Sequence, residues 1–568
     1  MSKLLVGIDM GTTALKIAAF DTTGQLLGSA TLEYSLYTPK SYFVESDPAI
    51  YMDAIEKGFA KLAEKGIPLK DIVALGFSNQ SETMFFVDEN CKPLRNSISW
   101  MDNRAVEQSE RMEKKYGNEL CYQHTGQVSW GANWPALKAL WVKENEPEVW
   151  AKTKKILLIE DFIIYQLTGR YVADCAMLTS TLYWDITTKK YWPLMLEELG
   201  LTEDYFPEIL EPGEVAGTIL PEMAQRLGLS PDTQVCTGAM DNAIGALGVG
   251  AFRPGVFSES IGSTLAVCVP TKKIVYDPNM QMPVHYYTMK DTYMMHTFTS
   301  GGICMRWFRD KFCQMEKAMA EMLGTDDYDL LTQQAAQVPA GCEGLSFLPH
   351  LSGSLAPDVN PHATGVFMGI TLVHGKGHFI RAIMESLGYL VRRNIDALEA
   401  MGLPIDEVRA FGGGSKSPLW NQINADILQR TICVTSSKEA ACLGAAILAG
   451  YAVGIFDSIE KACDSMVEVI ARYEPDPEKK AVYDHGYEIY KQMQTDCAQL
   501  FERWTKYLLA PFFYLPSFSP KGGAPGEKTH RGRRVFLRDI NYTLWNLSLP
   551  RAQPRSPKLW RVRKMGAT

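Results

Sequence analysis

Asp241 stands where an apolar, strand-like run at 235–238 gives way to a helix-like segment rich in Ala and Gly. A carboxylate at such a junction can take a proton from an alcohol, which makes Asp241 the candidate general base. The competing reading is an ordinary helix N-cap, a role Asp fills without any substrate. Turns suited to phosphate elsewhere in the chain favour the chemical reading. Asp9-Met10-Gly11-Thr12-Thr13 joins two strand-like runs, 4–8 and 15–20. Gly11 lets the main chain approach an anion, Thr12 and Thr13 add hydroxyls, and Asp9 can hold a magnesium ion through water. A plain hairpin would use the same residues. The pattern returns in the second half, where a strand-like run over 255–260 leads through Gly262-Ser263-Thr264 into another at 265–269. Its repetition implies a duplicated fold whose two turns face each other across a cleft and grip a nucleotide's phosphates.

Acceptor and base-side contacts have their own candidates. The run 72–76 ends in Ser78-Asn79-Gln80-Ser81-Glu82-Thr83. Gln80, Ser81 and Glu82 could bind a polyol, turn chemistry being the alternative. Asn242, next to the base, would hold a further sugar hydroxyl. Trp100, beside Asp102 and Arg104, offers an apolar face with paired polar groups, a combination that suits a sugar if the indole is not simply core. Gly301 and Gly302 open a helix over 303–313 and would let a flat ring or ribose lie against backbone. At 411–418, Phe-Gly-Gly-Gly-Ser-Lys-Ser-Pro links a strand to a helix, and three glycines there are expected to meet the nucleotide rather than to pack. No Gly-Lys-Ser/Thr closes a Walker spacing. A small-residue helix at 440–451 is expected to pack beneath that loop.

The elements that position these residues alternate strand and helix, an α/β pattern, and 568 residues exceed what one core supports. We divide the chain into 1–250, carrying the sugar and phosphate side, 251–509, carrying the nucleotide side, and 510–568. The last segment holds twelve Lys and Arg against two acids, is interrupted by proline, and reads as a disordered tail. With a net charge of −8 overall, the body is acidic, which argues against a nucleic-acid partner. Twelve cysteines are scattered without paired short spacing, as free thiols in a reducing compartment would be. The start lacks a leader pattern, and no run approaches the roughly 18 apolar residues a membrane helix needs, so the expected location is cytoplasmic, with no membrane partner.

Four stretches together resemble the FGGY carbohydrate kinase family over about residues 3–507: GIDMGTTALK, GAMDNAIGALGVG, the run from Gly365-Val366-Phe367-Met368-Gly369-Ile370 through His378-Phe379 to Glu385, and FGGGSKSPLWNQINADIL with GAAILAG. WPALKALWVKEN is similar to the family's first signature, although Asn133 departs from its usual opening residue. The resemblance implies a duplicated actin-like (RNase H-type) ATPase fold with a cleft between its domains. It also implies ATP and Mg2+ as cofactors, and phosphoryl transfer to a sugar or polyol hydroxyl. It casts Asp241 as catalytic base and, with Asp9, as the metal site. Thr12, Thr13 and Lys16 fall to the first phosphate turn, Gly262, Ser263 and Thr264 to the second, and Gly301, Gly302, Gly413, Gly414 and Ser417 to the nucleotide. The neighbourhood of Asp241 and the stretch 347–353 are most similar to xylulose kinases. Those kinases, however, carry Met-His where this chain has Ser81-Glu82. Residues 79–83 look more like glycerol kinases, and 305–310 like autoinducer-2 kinases. The expected substrate is a ketopentose such as xylulose, with gluconate, glycerol, ribulose, erythritol and autoinducer-2 as alternatives. A nucleotide-switched actin-like binding protein without kinase activity is the rival of another class, and a homodimer is left open. Residues 510–568 have no counterpart in the resemblance, an appended segment and a frame-shifted end being the alternatives.

Overall fold

Two mixed sheets with the same pattern of strand directions carry the chain. A computed structural model describes residues 3–509; the tail from 510 lies outside the described residues. The first sheet comprises β1 (Leu4–Met10), β2 (Ala14–Phe20), β3 (Leu26–Glu33), β4 (Ile72–Asn79), β5 (Val215–Thr218) and β6 (Gln234–Cys236), ordered β3-β2-β1-β4-β6-β5. The second comprises β7 (Val256–Ile261), β8 (Thr264–Thr271), β9 (Val284–Tyr286), β10 (Tyr293–Ser300), β11 (Glu407–Phe411), β12 (Thr431–Thr435) and β13 (Val469–Tyr473). Without its extra edge strand β9, this sheet runs β10-β8-β7-β11-β12-β13. Across each sheet the pairings are antiparallel, antiparallel, parallel, parallel, antiparallel. The duplication expected from the two hydroxyl turns is therefore present over five strands of each sheet, while the sixth, β5, precedes its neighbour β6 in the chain and its counterpart β13 follows its neighbour β12.

The outer faces are covered by amphipathic helices. Gly58 of α1 (Ala49–Glu64) abuts Ile17 of β2, and a Cβ at Gly58 would lie 2.9 Å from the isoleucine methyl. On the second sheet, Thr297 donates to Asn394 of α3 (Lys376–Ala400) at 2.9 Å, and Asn424 of α4 (Pro418–Leu428) donates to the buried Glu259 at 2.6 Å.

The inner faces exchange helices. The helix that ends the first repeat, α2 (Asp241–Leu247), lies on the second sheet: Gly245 meets Phe411, and the Cys268 thiol donates to the Asn242 carbonyl at 3.8 Å. The helix that follows β12, α5 (Ala440–Ala452), lies on β1 and β4 of the first sheet. This corrects the expectation that residues 440–451 pack beneath the glycine loop at 412–414. Bare backbone makes the exchange fit. A Cβ at Gly7 would stand 1.8 Å from the Cys442 carbonyl oxygen, and one at Gly76 2.1 Å from that of Ala445. Between the two helices, a Cβ at Gly444 would stand 2.1 Å from the Ile244 carbonyl oxygen, and one at Gly248 1.9 Å from that of Ala440.

All twelve cysteines are free, and eleven are buried. Among the described residues no helix is long and apolar enough to cross a membrane.

Because backbone cannot yield as a flexible side chain can, Gly76→Ala is expected to lose more than about 3 kcal/mol of stability or to fail to fold. Gly413→Ala, whose new Cβ would find its nearest neighbour at 3.7 Å, should stay within about 1 kcal/mol of the parent. Urea denaturation of the two variants measures the difference.

Candidate active site

Asp241 is the first residue of α2, and the N-cap position belongs to Met240, so the capping reading of Asp241 does not hold. Its Oδ1 accepts the amide of Asn242 at 2.7 Å. Residues 239 and 240 pair with Ser78 and Asn79 at the end of β4, which brings Asp241 out beside Gln80, Ser81 and Glu82. On the next strand, Asp9 accepts a hydrogen bond from Ser78 at 2.9 Å. A residue not singled out from the sequence secures this junction. Glu160, fully buried on the helix Ile159–Thr168, accepts the Gly238 amide at 2.6 Å and the Asn79 side-chain amide. One carboxyl thus ties together the two strand ends that carry the site.

Three acids crowd this end of the first sheet. Asp241 is reachable by solvent, yet protein encloses it enough that burial is the largest influence on its charge; with Asp9 and Glu82 adding repulsion, its pKa rises to about 7, against a small lowering by the Asn242 amide. Burial also raises Asp9, which Ser78 and Lys16 partly offset. Glu82 is raised by burial and opposed by Lys138. Lys16, the cross-strand partner of Asp9, forms an ion pair with Glu439 at 3.2 Å.

The phosphate-turn expectation needs one correction. Gly11 and Gly262 use their own amides to close the turns, donating to the carbonyls of Ala14 at 3.1 Å and Thr264 at 2.9 Å. Among the described residues, the amides of Thr12, Thr13 and Ser263 have no partner within the chain, so the donors left for an anion sit one residue further along each turn. The first turn is braced by Trp100, whose indole N–H donates to Thr12 Oγ1 at 2.8 Å, and by Gln80, whose side-chain amide donates to the Gly11 carbonyl at 3.2 Å. Behind the second turn, the Ser263 carbonyl accepts the amides of Gly301 at 3.3 Å and Ile303 at 3.0 Å.

The glycines of the second half divide by cause. A Cβ at Gly301 would lie 2.2 Å from the Leu265 nitrogen, and one at Gly302 2.3 Å from the Gly262 oxygen, so the turn itself demands both. The triple glycine, expected to have no packing use, has one. Gly412 adopts a φ of +84°, and a Cβ at Gly414 would press on Ile261 at 2.7 Å. Gly413 is exposed and unconstrained, and is the member of the three left open to a ligand. Ser417 is occupied as N-cap of α4, accepting the Trp420 amide at 3.3 Å.

On the acceptor side, Gln80 and Ser81 are buried, while Glu82 and Trp100 are half-buried. The polar neighbours expected to join Trp100 at a sugar are sealed away instead. Asp102 accepts the Val44 amide at 2.6 Å and pairs with Arg104, which reaches Glu45 at 2.7 Å. Lys138, on the helix Pro135–Asn145, was missed by sequence reasoning. It is fully buried and donates to the carbonyls of Ser99 at 2.8 Å and Glu82 at 3.4 Å, holding the two segments that carry Trp100 and Glu82. Burial pulls its pKa down to about 8, with Asp102 and Glu82 opposing. A lone charge in the apolar run PALKALW was the available signal.

Repeated sheets that exchange their inner helices, each opening on a hydroxyl-bearing turn, define a two-domain actin-like ATPase fold. The N-terminal domain of the FGGY family of carbohydrate kinases matches residues 4–248, and its C-terminal domain matches residues 260–453. The chain belongs to the FGGY family of carbohydrate kinases. It is 32% identical to a gluconokinase of Bacillus subtilis over 84% of this chain and 92% of the relative, and 28% identical to a xylulose kinase of the same organism over 88% and 98%. The solved xylulose kinase of Lactobacillus acidophilus superposes with a TM-score of 0.80 at 27% identity, covering 88% of this chain and all of that one. The protein is therefore a carbohydrate kinase that uses ATP as phosphate donor, and the rival reading as a binding protein without kinase activity falls away.

A carboxylate whose folded pKa is raised destabilises the fold once pH climbs above its unfolded value, and does so fully above its folded one. Asp241→Asn should accordingly raise the melting temperature at pH 8, and the gain should shrink as pH falls from about 7 toward 4. Thermal melts across that range read both features.

Proposed function

We propose that this kinase transfers the γ-phosphoryl group of ATP to a terminal hydroxyl of a ketopentose such as xylulose. The observation that carries the reading is Asp241 at the end of the pairing with β4, where burial and the charges of Asp9 and Glu82 raise its pKa to about 7. A base poised there is half-ionised near neutrality, where it accepts an alcohol proton most effectively. As that proton passes to the Asp241 carboxylate, the acceptor oxygen bonds to the γ-phosphorus and the bond from that phosphorus to the ADP oxygen breaks. Glu82, Gln80 and Asn242 orient the sugar. The free amides of Thr12, Thr13 and Ser263 bear phosphate charge, which is the main requirement of a transfer dominated by positioning and electrostatics.

Magnesium fits this site by its donor chemistry. Among the described residues no three His, Cys, Asp or Glu side chains form a cage, whereas Asp9 and Asp241 supply hard oxygens whose mutual repulsion a cation would relieve. Such an ion, completed by water and phosphate oxygens, would neutralise charge on the transferring group. Gly413 offers the nucleotide bare backbone.

An aldonate is the second reading, favoured by the 32% identity to a gluconokinase. Against it stand the acids around the acceptor position, which favour an uncharged sugar, since the nearby Lys138 is already engaged by two carbonyls. Division of the chain near residue 250 and a homodimeric assembly remain parts of the proposal.

ADP release measured with D-xylulose, D-ribulose, D-gluconate, glycerol and erythritol tests the assignment, with the largest kcat/KM expected for a ketopentose. Preference for gluconate selects the second reading. With the best acceptor, kcat/KM should rise with pH up to about 7 and then level off, and Asp241→Asn should lower it by roughly a thousandfold or more. A flat pH profile with an active Asp241→Asn variant would remove Asp241 from the role.

A further inference from the structure

Three carboxyls that the mechanism above leaves unused are sealed inside the first lobe. Glu160 and Asp161, on the helix Ile159–Thr168, and Asp174, at the end of the strand Val172–Asp174, are buried. No Lys, Arg or His stands among the groups that act most on them. Lys155 and Arg170, the cations that flank the helix in sequence, donate instead to the carbonyls of Asp204 at 2.6 Å and Ala216 at 2.7 Å. On β6 the Cys236 thiol, pushed up to about 12 by burial, is neutral.

The hydrogen bonds of this group are short of donors. Asp161 accepts the Leu158 amide at 2.8 Å and Asp174 the Met177 amide at 2.9 Å, which leaves Asp161 Oδ1 and Asp174 Oδ2 buried without a partner. Asn79, which meets Glu160 from β4, leaves its own Oδ1 in the same condition. All three orphans are acceptors. An ionised Glu160 would add another group that only accepts, whereas a protonated one supplies a donor. Burial, with Asp174 and Asp161 adding repulsion, holds the Glu160 carboxyl well above the usual carboxylate range, against its bonds to Gly238 and Asn79. Burial raises Asp174 as well, with Asp161 and Glu211 acting in the same direction. The two residues that Glu160 grips lead straight to the pairing of 239 and 240 with 78 and 79, from which Asp241 emerges.

We propose that Glu160 is a positioning residue for Asp241 that works as an uncharged acid, accepting the Gly238 amide on one oxygen and giving a proton from the other to the orphan oxygen of Asn79 or Asp174. For Asn79 this requires the side-chain amide to be turned over. The proposal rests on the reading of Asp241 as the base and deepens it. Asp9 and Glu82 already repel Asp241, and an acid that stays neutral fixes the strand ends without adding a further charge.

Glu160→Gln keeps an acceptor for Gly238 and offers a permanent donor to the orphan oxygens, while Glu160→Leu keeps neither. With the best acceptor, kcat of the Gln variant should stay within about threefold of the parent. The Leu variant should lose about tenfold or more in kcat, with the KM of ATP within about twofold. Thermal melts read the charge independently of activity. An acid that keeps its proton in the folded protein costs stability as pH rises above its unfolded value of about 4.3, and glutamine has no such cost. The melting-temperature advantage of Glu160→Gln over the parent should therefore grow between pH 5 and 8. A constant difference over that range, a Gln variant as impaired as the Leu variant, or a folded Leu variant with the parent's kcat overturns the inference. Should Glu160→Leu not fold, the melts of Glu160→Gln decide. An active Asp241→Asn variant removes the base reading, while the melts still settle whether Glu160 is neutral.

Discussion

The structure depends on two short helices changing places. Each sheet buries its inner face against the helix that belongs, by sequence, to the other repeat, and the two helices meet between them. Contacts of backbone on backbone at Gly7, Gly76, Gly248 and Gly444 make this fit. No side chain can be inserted there without moving main chain, so the arrangement is fixed by what is missing rather than by what is added. The first residue of α2 follows directly on the pairing of residues 239 and 240 with the end of β4.

That placement sets the chemistry. Asp241 inherits a position beside Asp9 and Glu82, where like charges and burial act in the same direction and lift its pKa. The local electrostatics are unfavourable by themselves. They become productive when a proton, a cation or a phosphate-bearing ligand restores balance. Residues outside the reacting centre maintain the arrangement. Glu160 holds the strand ends, Lys138 holds the segments bearing Glu82 and Trp100, and the Asp102–Arg104–Glu45 network anchors the turn beyond.

Much of this was legible locally. Strand, hydroxyl turn, strand is a short-range pattern, and its recurrence at 256–269 discloses the duplication from local sequence alone. Asp241 at a helix entrance was equally visible, although only geometry separated it from a cap. What could not be read depends on long-range contact. The position of α5 on the opposite sheet is invisible in a run of Ala and Gly, since the same composition would suit any close approach. Gly412 and Gly414 were assigned to a ligand because the neighbour that requires them, Ile261, is more than a hundred residues away in the chain. Asp102 and Arg104 looked like sugar ligands until Glu45 supplied their third partner.

The most direct test of the central claim is a crystal structure with a non-hydrolysable ATP analogue and magnesium. The account predicts terminal phosphate oxygens bonded to the amides of Thr12 or Thr13 from one lobe and Ser263 from the other, with the Asp241 carboxylate facing the same phosphate. A nucleotide seated on one lobe alone, or one whose terminal phosphate points away from Asp241, would contradict it.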